Sequence, residues 1–167
     1  ITPFSVVVEY SSASVEAGAT KLPAASQVGG SNTGSAYVFV RSGVTWTEQQ
    51  KLTVATGAAL DNFGYSVDID ADTLVVGAHY HDHSMLTDPG AAYVFTRSGT
   101  TWTLEQELNA DVPDDDDWFG YSVAISGDTA VIGAPRDDDK SDDSGSAYVF
   151  TRSGNTWSPQ AKLVAQD

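Results

Sequence analysis

Three histidines and a crowd of carboxylates are the residues of this chain best suited to chemistry. HYHDH, His79 to His83, holds every histidine in the protein. In an extended segment alternate side chains share a side, which would align His79, His81 and His83. Three imidazoles there could hold zinc or copper, with Asp82 or Asp88 nearby. The other reading is a polar loop, since adjacent imidazoles on one strand rarely close a tetrahedron. Two acidic stretches, DVPDDDDW from Asp111 and PRDDDKSDDSG from Pro135, suit a hard cation. Calcium takes roughly six to eight oxygens, and Asp114, Asp116, Asp137 and Asp139 are the candidate calcium ligands. The plainer reading is a solvated loop whose aspartates cap turn amides. Trp118 stands beside four of these aspartates and is a candidate contact residue, or a local hydrophobic plug.

Other chemistry is missing. There is no Ser-His-Asp order in a supporting motif, no glycine-rich phosphate loop and no lysine in an apolar setting. The carboxylate pairs fall in polar loops, where nothing separates their pKa values. The chain has no cysteine, which removes disulfides, a thiolate nucleophile and thiolate metal sites. The expectation is a protein that is not an enzyme. Of 167 residues, 23 are acidic and 8 basic, for a net charge of −15. Such a surface repels nucleic acid and anionic membrane. No run of about 18 apolar residues exists, so no helix is expected to span a membrane. The chain opens Ile-Thr-Pro, which reads as a processed chain or an excised piece.

The elements that would position these residues are repeats. GSAYVF at Gly34 returns as GAAYVF at Gly90 and as GSAYVF at Gly145. Trp46, Trp102 and Trp157 keep the same period, as do Tyr37, Tyr93 and Tyr148. FGYSVDIDADTLVVGAH, from Phe63, returns as FGYSVAISGDTAVIGAP, from Phe119. The front of the first copy is worn, with Tyr10 and Ser11 standing where FGYS is expected. The units are residues 1–62, 63–118 and 119–167. Each reads as four short strands: GYSVDID, the apolar run TLVVGA, AAYVFTR and the alternating TWTLEQEL, with a Ser-Gly turn before the last. Pro159 belongs on an edge strand. Arg41, Arg97 and Arg152 recur beside that turn and read as partners for carboxylates. Four strands per unit, apolar within and amphipathic outside, describe a β-propeller blade.

Phe119-Gly120 followed by Gly133-Ala134-Pro135 resembles the FG-GAP repeat of integrin alpha-chain propellers and of many secreted bacterial and algal proteins. Phe63-Gly64 with Gly77-Ala78-His79 lacks only the proline, and the first unit departs from the motif. The resemblance implies an all-β fold of about three four-stranded blades. It also implies an extracellular or cell-surface location. Integrin blades often bind calcium in an aspartate loop between the first two strands. Here that connection, Asp68 to Asp72, is too short for a full cage, and a tight polar turn is expected instead.

Three blades are too few to close a ring, which takes about four to eight. The expectation is a fragment of a longer propeller, or chains that associate. PFSVVVEY, with Phe4, Val6, Val7 and Val8, is a strong strand former that could add to the edge of a neighbouring chain. Its alternative is to complete its own blade. The function expected is structural or adhesive, through self-assembly or a partner protein, with calcium stiffening the acidic loops. The alternative is a carbohydrate-binding module of a larger secreted protein.

Overall fold

Period-two patterning with glycine-marked turns leaves no helical face, and the described chain has no helix. The computed structural model describes residues 4–10, 13–16, 34–55, 61–83, 85–138 and 144–165, with side chains from residue 34 onward. Among these lie twelve strands in three four-stranded antiparallel sheets. The first holds β1 (Phe4–Tyr10), β2 (Ala13–Glu16), β3 (Ser35–Ser42) and β4 (Thr45–Leu52), in the order β2-β1-β3-β4. The second runs β5 (Ser66–Asp70), β6 (Thr73–Ala78), β7 (Ala91–Ser98) and β8 (Thr101–Leu108) in sequence order. The third repeats that order with β9 (Ser122–Ser126), β10 (Thr129–Ala134), β11 (Ser146–Ser153) and β12 (Thr156–Val164). The fold is all-β, built of propeller-like blades, with no barrel closure.

The first sheet departs from its sequence pattern. β1 takes the place of β6 and β10: Val8 pairs with Ala36 as Gly77 pairs with Ala92. Tyr10 therefore ends a second-position strand and does not stand where Tyr65 and Tyr121 do. β1 also bonds to β2 on one side and β3 on the other. Val7 and Val8 thus pair on both sides within their own sheet, and Phe4 and Val6 pair on the β3 side, so the strand completes its own blade, the alternative to adding to a neighbour.

Two cores hold the sheets together, one in each gap. β6 and β7 are apolar on both faces because they feed both cores. Leu74, Val76, Tyr93 and Phe95 pack toward the first sheet, while Val75, Ala92 and Val94 pack toward the third. Each sheet thus has a near face toward the preceding sheet and a far face toward the following one. Phe63 and Phe119 fill the two wedges, each meeting a Tyr and a Phe edge-on. The glycine ahead of β7 permits this closeness. Gly90, at φ 84°, forms a bridge to Phe119, whose carbonyl oxygen lies 2.1 Å from where a Cβ would be.

Candidate functional site

Specialised side chains concentrate along the two gaps between sheets, more than in the acidic loops. Every outer strand carries a β-bulge at one register: opposite Val38/Phe39, Val94/Phe95 and Val149/Phe150. The bulge leaves Gln49, Glu105 and Gln160 unpaired in the ladder and re-aims them. Gln49 then accepts the indole N–H of Trp102 at 3.0 Å, and Glu105 accepts that of Trp157 at 2.9 Å. The next residue clamps the same tryptophan's backbone. The Gln50 amide donates to Trp102 O at 2.8 Å and accepts from its N–H at 2.7 Å. Gln106 makes the same two bonds to Trp157.

At the inner edge, Asp68 accepts from the N–H of Ile125 at 2.8 Å and Asp70 from that of Gly127 at 2.7 Å. Ser66 Oγ donates to Gly120 O at 2.8 Å. Asp68 and Asp70 therefore grip the next sheet's first strand, a role beyond the polar turn expected of them. These clamps were missed in the sequence, although Gln50 and Gln106 recur two residues before the final leucine of their strands. Of the recurring arginines, Arg41 donates to the Gly43 carbonyl at 2.8 Å, while the other two pair with carboxylates: Arg97 with Asp72, and Arg152 with Asp128 at 2.8 Å. Between these two arginines lies an open groove of about 340 Å³.

A buried polar socket sits at the other end of each gap. In the second sheet, His81 Nδ1 lies 2.9 Å from Asp61 and its Nε2 3.9 Å from Glu107. In the third, Asp137 stands at the place of His81. Its Oδ2 accepts from Ser146 at 2.7 Å and from the Tyr148 hydroxyl at 2.6 Å, with Lys162 Nζ at 2.7 Å. Burial, with the Asp137 carboxylate across from it, pushes the Tyr148 phenol up to about 12. Asp117, the counterpart of Asp61, is buried and accepts from the Asp114 N–H at 2.8 Å. Burial pushes its carboxyl up to about 6, and the charges of Asp137, Asp114 and Asp138 add to the rise.

The three histidines do not share a side. The chain turns at His79–Tyr80 and His81 N–H donates back to Ala78 O, so the segment is not extended. His79 is buried among Tyr65, Tyr80, Trp118 and Tyr121, its ring 4.0 Å from the first two. That burial lowers its pKa to about 4. His81 occupies the socket, and His83 is exposed in a turn. The transition-metal expectation fails on this geometry. The candidate calcium ligands are also separated in role. Asp114 and Asp116 are exposed, with Asp114 Oδ1 accepting from Asp115 N–H, whereas Asp137 is engaged with Lys162. Asp139 lies outside the described residues. Among the described residues no three His, Asp or Glu side chains are grouped to hold a metal ion.

Trp118 takes φ 59°, a left-handed backbone that its counterpart Asn62 adopts at φ 55° with less strain. It stacks on Tyr121 at 11° and lies under the Arg136 guanidinium, 4.0 Å from its ring centroid. It is a plug between loops, with its face already covered.

The FG-GAP repeat model matches residues 46–95 and 102–150, more than half of the chain. Each matched stretch begins in the outer strand of one sheet and ends in the third strand of the next. No curated protein matches the chain.

Proposed function

Because the chain belongs to the FG-GAP repeat family, we propose that it is a non-enzymatic extracellular module with a structural or adhesive role. It works by binding protein, its own copies included. The observation that carries this reading is where the specialised residues are spent. Gln50, Gln106, Asp68, Asp70 and the bulge residues Gln49 and Glu105 all attach one blade to the next. The polar groups of the sockets are held by one another and do not face an open cleft. A carbohydrate site has less support, because the unshared aromatic Trp118 is covered by Arg136.

The test is the mass of the chain in solution by light scattering, first in calcium and then in chelator. Multiples of the chain mass are expected. A single-chain mass in both media and at every concentration overturns self-assembly. Dissociation in chelator would show that a divalent cation holds the assembly together.

A further inference from the structure

We infer that the socket of the third sheet links itself covalently, Lys162 on β12 forming an amide with the side chain of Asp137 and releasing one water. The reaction runs once, within a single chain. It does not depend on the binding reading above, and it makes the protein no enzyme.

The groups that amide formation requires meet in this socket. The nucleophile is Lys162, whose Nζ lies 2.7 Å from Asp137 Oδ2. Against the expectation of no lysine in an apolar setting, its amine lies over the Tyr148 ring, 5.1 Å from the centroid. The electrophile is the Asp137 carboxyl, 2% exposed. Its backbone is fixed, because its carbonyl oxygen accepts from Gly145 N–H at 2.8 Å and from Ser144 Oγ at 3.1 Å. Donors for a developing oxyanion are already in place. Ser146 Oγ and the Tyr148 hydroxyl both donate to Oδ2, at 2.7 and 2.6 Å. The proton carrier is Asp117, 3% exposed. Its carbonyl accepts from the N–H of Arg136, the residue before Asp137. Its counterpart Asp61 sits 2.9 Å from His81, which holds the place of Asp137 in the second sheet. Burial, together with the charge of Asp137, lets Asp117 keep a proton up to about pH 6.

The step balances without an oxidant or a further reactant. The ion pair in the structure is the unlinked form. Nζ bonds to Cγ, and the charge gathers on Oδ2, where Ser146 and Tyr148 donate. The Cγ–Oδ1 bond then breaks. The two protons that leave the nitrogen end on Oδ1 as water, and Asp117 carries them across and finishes as it began. Holding amine and carboxyl together turns a bimolecular encounter into a unimolecular step. The second sheet is the contrast. Its nitrogen is the imidazole of His81, 3.9 Å from Glu107, and an acyl-imidazole would be returned to the acid by water.

Intact mass spectrometry of the full chain, followed over days after synthesis, tests the link. A species lighter than the sequence by one water is expected. Trypsin should no longer cut after Lys162, and peptide 137–140 should travel joined to peptide 153–167, with fragmentation placing the link on Asp137. Lys162→Arg keeps the cation and should hold the full mass. Asp117→Asn keeps an acceptor but has no proton to carry, and should slow the link at least about a hundredfold while circular dichroism stays that of the wild type. A wild-type chain that keeps its full mass overturns the proposal. So does a loss of water without the joined peptides, which is the mark of a succinimide. A link that forms at the wild-type rate in Asp117→Asn overturns the part given to Asp117.

Discussion

At one place, the socket of the second sheet joins Asp61, His81 and Glu107, and that of the third joins Asp117, Asp137 and Lys162. The tyrosine between them, Tyr93 or Tyr148, stays the same. In the second, the nitrogen base comes from the loop and the carboxylate from the outer strand. In the third the loop gives the carboxylate and the outer strand the amine. What recurs is a nitrogen set opposite a carboxylate across the strand, because a buried polar or charged group without a partner is costly. The residue types are free to trade sides so long as both trade together.

The most severe way to break that equivalence is to remove one partner. Lys162→Met removes the cation paired with the buried Asp137 carboxylate, and should cost about 3 kcal/mol in urea denaturation. The exchange Asp137→His with Lys162→Glu rebuilds the second repeat's socket in the third and should recover most of that loss. If the double variant is no better than the single, the two sockets are not equivalent.

Asp117 separates the sockets further. Its folded pKa of about 6 lies above the free value near 4. The folded chain therefore holds a proton that the unfolded chain has released, and stability falls as pH rises from about 4 to about 6. Asp117→Asn keeps an acceptor for Asp114 N–H and should add about 2 kcal/mol at pH 7, with no gain at pH 4. The smallest expected effect is at His79, in the second repeat's loop. Its folded pKa of about 4 lies below the free value near 6.5, so stability is lost as pH falls between them. At pH 5 the loss should be about 1–2 kcal/mol, and His79→Phe should abolish it. An unchanged acid profile in that variant would show that another group carries the loss.

Much of the fold was legible because it is written three times. Trp46, Trp102 and Trp157 fixed the period, and the apolar run at Thr73–Ala78 marked a strand buried on both faces. The first sheet was less legible. Val8 stands where glycine is expected, and the hairpin order of β1 and β2 leaves no mark in local patterning. The histidines misled for a related reason. Alternate spacing places side chains on one side only in extended chain, and the turn at His79–Tyr80 is set by docking among Tyr65, Trp118 and Tyr121. The clamps were hidden because Gln50, Gln106, Asp68 and Asp70 look like ordinary surface residues. Their partners are backbone groups about fifty residues away.

The two-sided strands of the second sheet also govern how the molecule opens. Val75 belongs to one core while Leu74 and Val76 belong to the other. The middle sheet cannot part from either neighbour without exposing a core, whereas each outer sheet has a single attachment to lose. Fraying therefore starts at the two ends and works inward, and amide hydrogens of β6 and β7 are the last to exchange.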